Sequence, residues 1–153
     1  MYRKILAAVD GSPRAPAVAA AALAIADRFD ATVHLFRAVA VPPDFPAAAH
    51  NSPDDVPALV EAEARRGLEK LARASRRFVV EPIDLKTPQA WRAILDAAAR
   101  LDADLVVVGS HGYHGWDRVL GTTAAKVTNR SDRNVLVVHP GRNPDPGGNP
   151  PRQ

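Results

Sequence analysis

The residues best suited to chemistry lie in one glycine-rich run, Gly109-Ser110-His111-Gly112-Tyr113-His114-Gly115, which leads through Gly121-Thr122-Thr123 into a helical pattern. A shorter run, Asp10-Gly11-Ser12, follows the first apolar segment. Glycines let backbone N–H groups approach an anion because no Cβ stands in the way. A helix start beyond such a loop adds unpaired N–H donors and the positive end of the helix dipole. Phosphate is the group these features suit. Thr122 and Thr123 can add hydroxyl donors at the helix start, beside the amides of Gly112 and Gly121. The same glycines equally serve a tight turn with no ligand, and Asp10 equally serves as a capping or turn residue. Neither run is a Walker A loop, since no Gly-Lys-Ser/Thr stands at the required spacing, and neither is the dinucleotide fingerprint.

His111 and His114 fall short of a metal site, because no carboxylate or thiolate stands at ligand spacing from them. No nucleophile with an orienting carboxylate can be assembled around His111, so no catalytic residue is assigned. Slow hydrolysis of a bound nucleotide is the most these residues allow. Tyr113 and Trp116 read as packing residues.

The elements that must position these runs alternate along the chain. Lys4 to Val9 is a short apolar run of the kind buried on both faces of a parallel sheet. Ser12-Pro13 reads as a cap followed by a first-turn proline, opening a helix with Val18, Ala22, Ile25 and Phe29 at helical spacing. Ala31 to Val39 is a second strand. Residues 40–57 carry five prolines and read as a long excursion without regular structure. Ala58 to Arg76 reads as a helix with Ala64, Leu68 and Leu71 on its buried side.

Arg77 to Leu85 is a third strand, and Pro82, which cannot donate to a ladder, places it at a sheet edge. Thr87-Pro88 repeats the cap-then-proline start, with Trp91, Ile94, Leu95, Ala98 and Leu101 as the buried stripe of the next helix. Asp104 to Val108 is the fourth strand, Thr122 to Asn129 a short helix, and Asn134 to Val138 the fifth strand. Residues 140–153 are mostly Pro, Gly and Asn and are expected to form a disordered tail to a domain spanning residues 1–139. This alternation implies an α/β fold, a doubly wound five-stranded parallel sheet of order 3-2-1-4-5 with helices on both faces. Such sheets take ligands at the carboxyl ends of their strands, where the strand order reverses.

Composition narrows the function classes. The 153 residues suit one domain, and 46% hydrophobic with 24% charged residues is ordinary for a globular chain. With no cysteine, disulfides and thiolate metal sites are excluded, and a cytoplasmic location is expected. The opening apolar run is too short for a signal peptide or a membrane span. Twenty basic against 17 acidic residues, without a block of either sign, argue against nucleic acid as a partner.

The segment from Arg3 to His139 resembles the universal stress protein family, in KILAAVDGS at the start, DLVVVGSHG at the fourth strand, Gly121-Thr122 and the closing NVLVVHP. The resemblance implies an adenine nucleotide, ATP or a relative with or without magnesium, held by the loop after strand four. It implies that Ala8, Val9 and Asp10 line the adenosine site and that Ala38 and Val39 flank the base. Val108, Gly109, His111, Gly112, Gly121, Thr122 and Thr123 would surround the ribose and phosphates. Gly109 and Gly112 match the opening of the family's phosphate loop and Gly121-Thr122 its end, but residues 113–120 between them are one short of the family's spacing. That departure keeps open a second reading, a dimeric interaction module of the same fold without nucleotide. The family pairs through its last strand, so a homodimer through Val135 to Val138 is expected, with proline at Leu136 as a means of breaking it. An unidentified protein partner completes the reading as a stress-response or regulatory protein.

Overall fold

In the computed structural model, the described residues are 1–39, 55–110 and 122–139, with the side chains of residues 55 and 56 excluded. The first apolar run forms β1 (Lys4–Ala8) at the centre of the sheet, where Ile5, Leu6 and Ala7 are wholly buried. It pairs in parallel with β2 (Thr32–Phe36) on one side and β4 (Leu105–Gly109) on the other. β3 (Phe78–Val80) and β5 (Asn134–Val138) form the two edges, giving the order β3-β2-β1-β4-β5. The expected α/β sheet and its strand order are therefore those observed.

Strand alternation divides the core. Ile5, Ala7, Val33, Leu35 and Val107 meet helices α1 (Ala15–Phe29) and α2 (Asp55–Ala72) on one face. Leu6, Phe36, Val106 and Val108 meet α3 (Ala90–Leu101) and α4 (Thr122–Arg130) on the other. Sheet faces lined by β-branched and leucine side chains, opposed by alanine-rich helices, let the helices pack close.

The strand and helix limits differ from the expected ones for identifiable reasons. The α1 helix begins at Ala15, not at Ser12-Pro13, and its N-cap is Arg14. The Asp10 carboxylate instead accepts the Ser12 amide at 3.0 Å, and the Ser12 hydroxyl accepts the Arg14 amide at 3.2 Å. Side chains that satisfy nearby amides in this way hold a turn and delay the helix. Thr87-Pro88 is likewise a turn, and Gln89 is the N-cap of α3. The Thr87 amide and hydroxyl donate to the Asp84 carboxylate at 2.8 and 2.9 Å.

The α2 helix starts at Asp55, inside the stretch read as irregular, because Pro57 is tolerated in a first turn. It ends at Ala72 rather than Arg76. β3 holds three residues and stops before Pro82, which has no N–H to offer, and a single bridge between Ala38 and Asp84 continues the pairing beyond it. The proposed irregular structure of residues 40–54 and the proposed tail, 140–153, lie outside the described residues.

Two carboxylates fasten the termini of these elements. Asp104 accepts the amides of Arg3 and Lys4 at 2.7 and 2.8 Å, tying the start of β4 to β1. Those amides, Lys4 before Arg3, hold its carboxyl below the usual carboxylate range. Burial opposes the charge on Asp84, yet the amides of Thr87 and Lys86 and the Thr87 hydroxyl outweigh it and lower its pKa as well.

Candidate functional site

The strand order reverses between β1 and β4, and a cleft of about 530 Å³ opens there at their carboxyl ends. It lies on the face covered by α3 and α4. Period-two alternation carries Ala8, Phe36, Ala38 and Val108 to that face, where the two alanines leave room between larger neighbours. Ile94 and Ala90, one turn apart on α3, close one side. The floor and walls are thus apolar and suit a flat ring.

Polar groups gather around the rim. The Asp10 and Ser12 turn and Arg14 border the cleft. Thr123 stands in the first turn of α4. Ser110 is 7% exposed, its amide donates to the Val138 carbonyl at 2.9 Å, and its hydroxyl makes no hydrogen bond among the described residues. A buried hydroxyl facing a cleft without a protein partner is available to a ligand. At Gly109 a Cβ would lie 3.1 Å from Val18 Cγ2, a tight approach that α1 would have to give way to accommodate.

The residues singled out from sequence divide into three groups. Ala8, Val9, Asp10, Ala38, Val108, Gly109 and Thr123 come together around the cleft. Val39 does not: its side chain packs on the α1 and α2 side of the sheet, opposite to Ala38, as alternation dictates. Thr122 is exposed at the helix start and does not line the cleft. His111, Gly112 and Gly121 lie outside the described residues, as do Tyr113 and Trp116.

Ser110, Arg14, Phe36 and Ile94 line the cleft without having been assigned to it. Phe36 was accessible from the alternation that placed Ala38, whereas the contribution of Ile94 depends on how α3 lies across the sheet. No group of three or more His, Cys, Asp or Glu side chains able to hold a metal occurs among the described residues. No described helix is long and apolar enough to cross a membrane.

The universal stress protein family model matches residues 1–139. The chain belongs to that family. Universal stress protein A homolog 1 of Coxiella burnetii is 30% identical over 139 residues, covering 90% of this chain and 96% of the relative. Among solved structures, a universal stress protein in complex with cAMP is 25% identical with a TM-score of 0.64, over 90% of this chain and 97% of that one. The Archaeoglobus fulgidus universal stress protein in complex with dAMP is 18% identical with a TM-score of 0.59, over 90% of this chain and 97% of that one, and speaks for the shared fold alone. The family assignment and the strand order agree with the reading drawn from KILAAVDGS and DLVVVGSHG.

Proposed function

We propose that this protein is a nucleotide-binding member of its family that takes an adenine nucleotide in the cleft between the ends of β1 and β4. The observation that carries this reading is the cleft itself: an apolar slot of about 530 Å³ at the reversal of strand order, with the buried Ser110 hydroxyl, unbonded among the described residues, at its edge. That volume falls within the roughly 300–1,000 Å³ typical of small-ligand sites. The adenine ring fits the slot beside Ala8 and Ala38, and Arg14, Ser110 and Thr123 face the ribose and phosphate end. The cAMP complex of a relative supports an adenine ligand.

Within this reading the ligand is ATP, any magnesium is held through its phosphates, and the protein works as a homodimer through β5 whose nucleotide state governs a further protein partner. β5 is a sheet edge whose residues Val135 to Val138 are all only half-buried, an apolar margin that a second copy can cover. Mass spectrometry of the purified protein after denaturation tests the ligand, because a copurifying nucleotide is released at its own mass. Melting with ATP and magnesium provides the second measurement. An adenine nucleotide in the spectrum or a rise in Tm of several degrees is expected. Absence of both hands the function to the interaction-module reading.

A further inference from the structure

On the opposite face of the sheet, α1 and α2 leave between them a second cavity, of about 470 Å³. Its floor contains a residue out of pattern. Arg37 follows Val33 and Leu35 at period two on β2 and its extension, and both of those are wholly buried on that face. The Arg37 guanidinium is wedged between two glycines. A Cβ at Gly11 would meet its Nη2 at 2.5 Å, and one at Gly67 would meet its Nη1 at 3.6 Å. A Cβ at Gly67 would make only an ordinary van der Waals contact with the guanidinium, whereas one at Gly11 would force it to move.

No bonded counter-charge to Arg37 is found among the described residues. Among the described residues its side chain makes neither an ion pair nor a hydrogen bond. Two carboxylates line the groove: Glu63 is exposed and is engaged by Arg66 at 2.8 Å, and Asp10 accepts the Ser12 amide at 3.0 Å. Lys70 adds a second cation at the rim. A partly buried cation without a counter-charge is unfavourable, and an anion brought by a ligand removes that cost.

Away from the polar rim residues the groove is lined mostly by apolar side chains, and it has a direction. Both helices run antiparallel to the strands, so the cavity extends from Arg37 at the carboxyl end of the sheet to Leu23, Leu71, Ala74 and Phe78 near its amino end. Phe78 pairs with Val33, four residues before Arg37, a distance on the order of 13 Å along a strand. One cationic end and an elongated apolar remainder match an amphipathic monoanion better than a polyphosphate, which would leave the apolar length unfilled. We propose that this groove binds a medium-chain monocarboxylate, with its carboxylate on Arg37 and its acyl chain between α1 and α2. The proposal uses no part of the nucleotide reading, since Arg37 and the α1/α2 groove lie across the sheet from the first cleft.

Calorimetric titration of the full chain with decanoate below its micellar concentration tests it. One decanoate per chain is expected, with binding weakened about tenfold or more by Arg37→Gln, the loss of a charge-assisted hydrogen bond. Decanol, which keeps the chain and lacks the charge, should bind the native protein with a similar deficit. Gly67→Leu, which fills the groove at the rim, should abolish decanoate binding while leaving any ATP affinity unchanged. Circular dichroism establishes that each variant is folded. If Arg37→Gln does not fold, Gly67→Leu and the comparison of decanoate with decanol decide. Equal affinity of decanoate for the native protein and a folded Arg37→Gln variant, equal affinity of decanoate and decanol, several decanoates per chain, or no binding would each overturn the proposal.

Discussion

At the scale of single residues, the cleft depends on what is small and on what is left unpaired. Ala38 faces the slot from the bridge beyond β2, so a bulky ring at that position occupies the volume a base would need. Ala38→Trp is expected to abolish nucleotide binding in equilibrium dialysis while the far-ultraviolet spectrum stays native. Ser110→Ala removes a hydroxyl that bonds to nothing within the described protein. Stability should therefore change little, and affinity for the nucleotide should fall by about tenfold, one hydrogen bond's worth.

Asp84 and Asp104 give a residue-level pH dependence. Both carboxyls titrate below their unfolded values in the folded protein, so each stabilises the fold above the unfolded carboxylate pKa of about 3.9. That contribution disappears as pH falls through their lowered folded-state values. Asp104→Ala should cost about 1 kcal/mol at most at pH 7, since the group is exposed, and nothing at a pH below the native protein's folded-state titration. Urea midpoints at the two pH values check the sign.

At the scale of elements, the short edge strand β3 is held by side chains as much as by its ladder. Glu81, 7% exposed, lies just past β3 and accepts from Arg100 of α3 at 3.2 Å, with His34 Nδ1 of β2 2.8 Å from its other oxygen. Removing the central member leaves His34 unpaired in a partly buried place. Glu81→Ala is expected to destabilise by about 3 kcal/mol in urea unfolding. A loss under about 1 kcal/mol would mean that β3 is held by its backbone alone.

The opposite edge corrects the substitution suggested by sequence. The Val138 carbonyl accepts the Ser110 amide on the β4 side. In a parallel ladder a residue's N–H and C=O point to the same neighbour and alternate along the strand, so Leu136 also faces β4, and Val135 and Val137 face the free edge. Proline at Leu136 would break the sheet itself. Val137→Pro is the appropriate change. It should convert a β5-paired dimer to monomer in sedimentation while leaving the melting temperature of the monomer near that of the native fold.

At the scale of the whole molecule, the sheet sets two cavities back to back. The turn of Val9, Asp10 and Ser12 borders both the α3/α4 cleft and the α1/α2 groove, one apolar with a polar rim and the other apolar with a cationic end. A nucleotide bound to the native state at about a hundred times its Kd adds about 2.7 kcal/mol to global stability. The rise in Tm should be seen in the native chain and lost in Ala38→Trp, and it should survive in Gly67→Leu. This pattern would assign the nucleotide to the first cleft and to no part of the second.

Much of this protein is determined by its sequence alone. Apolar runs of strand length separated by helical periodicity specify parallel βαβ units, because only that arrangement buries strands apolar on both faces. Pro82 marks an edge because it lacks a donor, and KILAAVDGS with DLVVVGSHG marks the family and the strands that flank the cleft. The cap-then-proline pattern misplaced two helix starts, since Ser12 and Thr87 carry capping chemistry but are committed to local turns by contacts with their chain neighbours. Tertiary structure alone decided that Ser110 is buried at the site with no hydroxyl hydrogen bond among the described residues. It also placed Arg37 between Gly11 and Gly67, residues 26 and 30 positions away in the chain. Local patterns record which groups avoid water, but which groups meet is settled only when distant segments share one sheet.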